Sequence, residues 1–309
     1  MDNYEELDTF DLDLLDLISS DLNATNQYLV FGGSNSEIYA INISKVIEVL
    51  VYKDLEMVKN GNGDNIIRAT AKIRDEIATI VCFDEWFGND ILDEEEYEFA
   101  ILAGFGGHNL AIMVKNVEYI VSMNSNEMKD NSINNPKTNF ISKIKLNGKD
   151  RLCTVFDGDK LLLDVFQDNY KTNNVENISL DLTFDTNKIV LFADDSRFIR
   201  KMVQSLFDKM NLKSKVFENG KELLEELKLL KSDDVGLIIT DLEMPIMDGR
   251  TLIKSINDLD IYKDINIIVH TNMSTFIIEN SLLELGVKKV IGKIDMEKLT
   301  IGINKYFKS

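Results

Sequence analysis

Two apolar runs that stop abruptly at carboxylates constrain this chain more than anything else in it. One reads Lys188-Ile189-Val190-Leu191-Phe192-Ala193-Asp194-Asp195. The other reads Leu237-Ile238-Ile239-Thr240-Asp241 and continues Leu242-Glu243-Met244-Pro245-Ile246-Met247-Asp248-Gly249. Apolar runs without polar alternation suit strands buried on both faces, and hence a parallel sheet covered by helices. Strand signals at 188–193, 213–217, 235–240, 265–270 and 287–292 alternate with helical patterns at 196–210, 219–230, 249–258, 274–285 and 295–307. Ile199, Val203, Leu206 and Met210 fall on one helix face. Asn211, Gly286 and the Asn219-Gly220 pair fall where chain reversals are expected. Five strands alternating with five helices predict an α/β doubly wound five-stranded parallel sheet, with its site at the carboxyl ends of the strands.

The chemistry follows from those ends. A carboxylate is ionised at pH 7 and can attack a phosphoryl donor without a base. Its obstacle is repulsion between two anions, which Mg²⁺ offsets through carboxylate, water and phosphoryl oxygens. Asp241 is the expected nucleophile. Asp195 and Asp241 are the expected direct metal ligands, Asp194 binds directly or through a water, and the Glu243 backbone carbonyl adds an oxygen. Lys293 ends the fifth run and can pair with a phosphoryl oxygen; Thr271 ends the fourth and can donate its hydroxyl. A dianionic phosphoryl group on Asp241 attracts both, which shifts the loops after strands four and five.

With these groups on successive strand ends, residues 188–308 resemble a response-regulator receiver domain, a flavodoxin-like fold. The matching positions are Asp194-Asp195, Asp241 with Met244-Pro245 and Asp248-Gly249, Thr271 and Lys293. The resemblance implies that Asp241 takes phosphate from a phosphohistidine on a sensor kinase and then loses it slowly. Glu243 and Met273 would flank the phosphoryl group and set the rate of loss. Two positions depart from the family pattern. Ile294 stands where the family has a proline after a cis bond; a cis Lys293–Ile294 bond would cost about 3–4 kcal/mol, so a trans bond or strain is expected. Val290 stands where an aromatic residue often swings inward, so output is expected to use another face.

Residues 23–170 read as an all-β domain. Short runs at 28–31, 38–43, 77–83, 99–103, 110–114 and 152–156 are separated by Gly, Asn, Asp and Ser clusters, which suits a barrel or sandwich. Residues 44–51 fit a helix or a strand, with Ser44 as a possible cap. Residues 60–65 and 124–139 read as polar loops, Gly104-Phe105-Gly106-Gly107 as a hairpin turn, and 159–165 as a closing helix. His108 has no second His nearby, which argues against a metal site, and Trp86 reads as core.

Gln27 to Phe31, Glu37 to Ile41, Val46 to Val49 and Lys72-Ile73-Arg74-Asp75 resemble the CheW-type coupling family, whose members are paired small β-barrels bridging chemoreceptors to a histidine kinase. Ile73 and Arg74 survive from that family's Asn-Leu-Arg-Gly tetrad, and Arg74 carries over as a partner contact. A coupling domain ahead of a receiver implies a chemotaxis adaptor, regulated by phosphorylation at Asp241 or acting as a sink for phosphate, and not an enzyme beyond slow self-dephosphorylation. Its implied partners are the kinase as phosphodonor and the cytoplasmic tips of chemoreceptors.

The remaining features set limits. Residues 1–22 form an acidic leader in which Leu7, Phe10, Leu14 and Leu17 recur at helical spacing. Residues 171–187 read as a linker whose ends would lie about 20–25 Å apart if unstructured. A net charge of −19, from 53 acids and 34 bases, argues against nucleic acid and anionic membranes as partners. No apolar stretch is long enough to span a bilayer. Without a recognisable signal peptide the chain is expected in the cytoplasm, recruited to receptor arrays at the inner membrane face. Cys82 and Cys153 read as core residues of a reducing compartment. Two other readings stay open. One keeps the receiver but makes the β half a module for a different ligand. The other is a phosphatase of the haloacid dehalogenase class, which wants a second Asp two residues after the nucleophile, where this chain has Glu243.

Overall fold

A computed structural model describes residues 27–59, 66–74, 76–105, 108–123, 135–146, 148–166, 187–272, 276–293 and 295–307. The acidic leader, the 60–65 loop, most of the linker, Met273 and Ile294 lie outside the described residues. The chain divides into two compact units: the first runs to Phe156 but leaves out Phe105, and the second takes Phe105 together with the chain from Asp157 onward.

Among the described residues the first unit is β but for one short α-helix and three 3-10 turns. Its elements are β1 (Gln27–Gly32), β2 (Ile38–Asn42), β3 (Val46–Val51), β4 (Met57–Lys59), β5 (Ile67–Ile73), β6 (Glu76–Cys82), α1 (Phe83–Phe87), β7 (Phe99–Phe105), β8 (His108–Val114), β9 (Asn116–Ser122), β10 (Thr138–Leu146) and β11 (Lys149–Phe156). They form a five-stranded sheet in the order β10-β11-β2-β1-β9 and a six-stranded sheet in the order β3-β7-β8-β6-β5-β4. Tyr28, Val30, Ile38, Ala40, Cys153 and Val155 bury one face of the first sheet. Ala69, Ala71, Ile80, Cys82, Ala100 and Leu102 do the same for the second. Cys82 and Cys153 are buried free thiols, and Trp86 is core.

Several elements differ from the sequence reading. Residues 46–51 are a strand, preceded by a 3-10 turn at Ile43–Lys45 that is capped by the Asn42 side chain accepting from the Ser44 N–H, not by Ser44. Val46, Val49 and Val51 favour the extended backbone because their branched Cβ restricts χ1 in a helix. Thr138 and Asn139, read as the end of a polar loop, open β10. β4, β5, β9 and β10 carry Lys, Arg, Thr and Asn on their outward faces, so they lack the apolar run that marks a buried strand.

The second unit comprises α2 (Gly158–Val165), β12 (Ile189–Ala193), α3 (Arg197–Lys209), β13 (Lys213–Phe217), α4 (Gly220–Leu227), β14 (Val235–Thr240), α5 (Gly249–Asn257), β15 (Ile267–His270), α6 (Phe276–Glu284), β16 (Lys289–Ile291) and α7 (Met296–Tyr306). The five strands form one parallel sheet in the order β13-β12-β14-β15-β16. Alternate residues of the central strands feed opposite cores. Leu191, Ala193 and Ile238 pack with Leu223, Leu252 and Ile256. Val190, Phe192, Leu237 and Ile239 pack with Ile199, Val203, Leu206 and Ile303. Burial on both faces is why these strands read as unbroken apolar runs. Val290 is half-buried against the first of these cores. Asn211 and Gly286 take positive φ, 54° and 91°, and the Asn219 side chain caps α4 by accepting from the Glu222 N–H.

Candidate functional site

The ends of β12 and β14 deliver three acids to one place. Each strand's ladder runs one residue past its last pair, through Asp194 N–H to the Phe217 carbonyl and Asp241 N–H to the Ala193 carbonyl. The backbone therefore stops where the carboxylates start, and the carboxylate oxygens of Asp194, Asp195 and Asp241 all lie within 4.8 Å of one another. Lys293, just past β16, sends its ammonium into the same place. Its Nζ is 2.9 Å from Asp241 Oδ2, 3.1 Å from Asp194 Oδ1 and 3.8 Å from Asp195 Oδ1. Thr271, just past β15, is buried, and its N–H donates to the Ile291 carbonyl.

The surrounding residues hold this arrangement. The Leu242 N–H donates to Asp241 Oδ1 at 2.6 Å, and the Ser196 N–H donates to Asp194 Oδ1 at 2.8 Å. Arg200 on α3 donates to the carbonyls of Asp194 and Asp195, at 2.8 and 2.9 Å, and pairs with Glu218. Gly249 lets α5 start directly beneath Asp241: a Cβ there would stand 2.0 Å from the Asp241 carbonyl oxygen. The Asp248-Gly249 pair of the sequence is thus a cap followed by a close approach, since Asp248 Oδ1 accepts from the Thr251 N–H.

Two site residues were not found in the sequence. Asp159, in the first turn of α2, places Oδ2 3.2 Å from Lys293 Nζ. Asn272 donates its Nδ2 to Asp159 Oδ1 at 2.8 Å. Asp159 read only as part of a helix start, where an acid is ordinary, and no local pattern ties residue 159 to residue 293. Neighbouring Asp157 caps α2 through the Lys160 N–H and also accepts from the Ser196 hydroxyl at 3.1 Å and the Phe198 N–H at 3.3 Å. One carboxylate therefore caps α2 and α3 together.

Four carboxylates around one ammonium leave a surplus of negative charge in a buried place. Burial above all pushes the Asp194 carboxyl well above the usual carboxylate range, with Asp241, Asp195 and Asp159 adding to it and Lys293 opposing. Burial also works against the Lys293 charge, but Asp159, Asp194, Asp241 and Asp195 outweigh it and hold the ammonium protonated. Asp194 Oδ2 and Asp195 Oδ1 are buried without a hydrogen-bond donor. A hard divalent cation answers both the surplus charge and those oxygens, and an all-oxygen set suits Mg²⁺. Arg74, in the first unit, stands at the tight connection from β5 to β6 with φ 55°. Its guanidinium is 3.1 Å from Glu48 and 68% exposed.

Comparison with known proteins agrees with this architecture. Residues 190–304 match the response regulator receiver domain and residues 27–166 the CheW-like domain. The chain is 29% identical to the chemotaxis protein CheV1 of Helicobacter pylori, over 78% of this chain and 80% of the relative. It is 24% identical to CheV2 of the same organism, over 85% and 93%. The scaffolding protein TtCheW from Thermoanaerobacter tengcongensis superposes on 42% of this chain and 88% of its own, at 18% identity and a TM-score of 0.37. The chain is thus a fusion of a CheW-like domain and a receiver, a class of non-enzymatic chemotaxis coupling adaptor with a phosphorylatable receiver. Its domain order and its similarity to CheV1 and CheV2 support a CheV-type protein. Receivers generally bind Mg²⁺ at an acidic pocket of this kind.

Proposed function

We propose that this adaptor is switched by phosphorylation of Asp241. The observation that supports the reading is the convergence of Asp194, Asp195 and Asp241 with the Lys293 ammonium at one edge of the parallel sheet. An Asp241 carboxylate oxygen attacks the phosphorus of a kinase phosphohistidine. The new O–P bond forms as the P–N bond breaks, and the imidazole departs and takes up a proton. Mg²⁺, held by Asp194, Asp195, Asp241 and the Glu243 carbonyl, would neutralise charge on the phosphoryl oxygens. Lys293 binds a phosphoryl oxygen as a point charge, and Thr271 donates its hydroxyl to another. Slow hydrolysis resets the switch: water attacks phosphorus, the Asp241 O–P bond breaks, and carboxylate and inorganic phosphate result. Glu243 and Met273 set that rate.

In this reading residues 1–22 are a leader, 23–170 the coupling domain, 171–187 a linker and 188–309 the receiver. The coupling domain docks among chemoreceptor tips and their kinase, with Arg74 as a contact, and the protein works in the cytoplasm at receptor arrays. Among the described residues no helix is long and apolar enough to cross a membrane. Couplings of about 1–3 kcal/mol suffice to tune kinase output. Incubation with the chemotaxis kinase and γ-labelled ATP tests the reading. Label is expected on the wild type and absent from Asp241→Asn; an unlabelled wild type, or equal label on both, refutes it.

A further inference from the structure

The site holds a fourth carboxylate that the ends of β12 and β14 do not supply. Asp159 Oδ2 lies 3.2 Å from Lys293 Nζ, and Asp159 is 1% exposed, as is Asp241. Its position is built. Asp157 caps α2 by accepting from the Lys160 N–H, and it also accepts from the Ser196 hydroxyl and the Phe198 N–H at the start of α3. The first turn of α2, and Asp159 with it, is thereby set beside the strand ends. Burial works against the Lys293 charge, and of the acids that oppose burial Asp159 acts most strongly. Stability alone does not call for this acid. Asp194 and Asp241 already stand 3.1 and 2.9 Å from the ammonium, and a further buried carboxylate costs desolvation and repulsion. Nor does it come with the receiver match. Residue 159 lies outside residues 190–304 and inside the CheW-like match at 27–166, yet it packs in the second unit.

We propose that Asp159 is a positioning residue of the phosphoacceptor site: acting through Lys293, its charge tightens the site's hold on a divalent cation and slows the reaction of Asp241 with small anionic phosphodonors. Both effects come from one fixed negative charge. The Lys293 ammonium repels a divalent cation at Asp194, Asp195 and Asp241, and it attracts the phosphoryl group of an incoming donor. A carboxylate against that ammonium offsets part of its charge, so it reduces the repulsion and the attraction together. With acetyl phosphate as donor, an Asp241 carboxylate oxygen attacks phosphorus. The new O–P bond forms as the bond from phosphorus to the acetyl oxygen breaks, and acetate leaves with the electron pair. Such a donor is anionic and small, so it relies on the cation and on Lys293 for its binding. Asp159 also accepts from Asn272, next in sequence to Thr271, at 2.8 Å, which places the same charge beside the loop after β15.

This inference rests on Asp241 being the phosphoacceptor, and its two readouts fail separately. The full chain is compared as wild type, Asp159→Asn and Asp159→Ala; the second variant excludes an effect peculiar to the amide. Mg²⁺ binding is followed by calorimetric titration, and labelling of Asp241 by acetyl phosphate is followed at saturating Mg²⁺. In both variants the Mg²⁺ affinity should fall about tenfold and the labelling rate should rise about tenfold. A merely structural role moves the two in the same sense, because a loosened site holds the cation less well and reacts more slowly. Unchanged Mg²⁺ affinity in both variants overturns the proposal, whatever happens at Asp241. Where the wild type is labelled, a rate that does not rise in the variants overturns it as well. Weaker Mg²⁺ binding in the variants with no label on any of the three proteins supports the role of the Asp159 charge and refutes the phosphorylation reading instead.

Discussion

The Cα of Gly249 sits so close beneath Asp241 that a methyl group there would lie 2.0 Å from the Asp241 carbonyl oxygen and 2.9 Å from its carbonyl carbon. The obstacle is backbone, so neither side can move away cheaply. The same carbonyl accepts from the Thr240 hydroxyl, and the Gly249 N–H donates to the Leu242 carbonyl. Gly249→Ala should therefore push α5 away from β14, cost about 1–3 kcal/mol, and displace the Asp241 carboxylate. Urea unfolding and acetyl phosphate labelling check this together; full stability with full labelling would contradict the packing argument.

In the same loop, Ile246 holds φ at 71°. A β-branched residue meets its own carbonyl there, at a cost of about 1–2 kcal/mol. Glycine relieves the clash but gives back part of the gain as unfolded-state entropy. Ile246→Gly should stabilise the second unit by about 0.5–1 kcal/mol. A loss of stability in thermal unfolding would show that the Ile246 side chain contributes more than its strained backbone costs.

How much of this was legible depends on where each signal was stored. The receiver strands announced themselves because Val190, Phe192, Leu237 and Ile239 serve one core while Leu191 and Ile238 serve the other. Two-sided burial leaves no room for polar residues, and the acids at the strand ends then stand out. The order of those ends along the chain is what brings Asp194, Asp195, Asp241 and Lys293 to one edge of the sheet. Strands such as Ile67–Ile73 were missed because a one-sided strand with Arg, Thr and Lys outward resembles a polar loop. Asp159 was illegible for a different reason: its partner is more than a hundred residues away and its local context is that of any helix start. Long-range placement of a single side chain leaves no periodic trace.

His270 lies fully buried at the end of β15, 6.0 Å from the Phe192 ring. Burial first, and then the Lys293 charge, push its pKa from 6.5 down to about 3. Between those values the unfolded chain binds a proton that the folded chain refuses. Stability must therefore fall as pH drops through that window, by up to about 1.4 kcal/mol per pH unit. Asp194 contributes with the opposite sign, because its raised pKa makes the folded state the better proton binder on acidification. The difference between wild type and His270→Phe isolates the histidine. The variant should lose this part of the acid sensitivity and be unchanged above about pH 7 in its slope; parallel curves throughout would refute the assignment.

Asp195 and Asp194 carry the metal argument. Asp195→Asn removes a hard anionic ligand and should weaken Mg²⁺ binding by at least about tenfold in calorimetric titration. It also removes a like charge from beside Asp194 and Asp241, so the metal-free variant should unfold at a higher temperature than wild type. Because the Asp194 carboxyl is held well above its usual range, it must give up a proton to ligate. Mg²⁺ affinity should then decline steadily as pH falls. Affinity that is flat with pH and indifferent to Asp195 would remove magnesium from this pocket.

Lys293 offers the sharpest electrostatic test. Its ammonium is the cation that Asp159, Asp194, Asp195 and Asp241 share. Removing one partner of a buried pair leaves uncompensated charge and costs about 3–5 kcal/mol, far more than a surface pair is worth. Lys293→Met keeps the length and the apolar stem, so the loss is chiefly of charge. Without the ammonium the buried carboxyls hold protons more tightly in the folded state than in the unfolded one. Acidification therefore stabilises the variant relative to wild type, and its deficit should be large near about pH 7.5 and smaller near about pH 5.5. Urea unfolding of metal-free protein at both values checks this. An equal deficit at both would mean that the four acids are not competing for one buried charge.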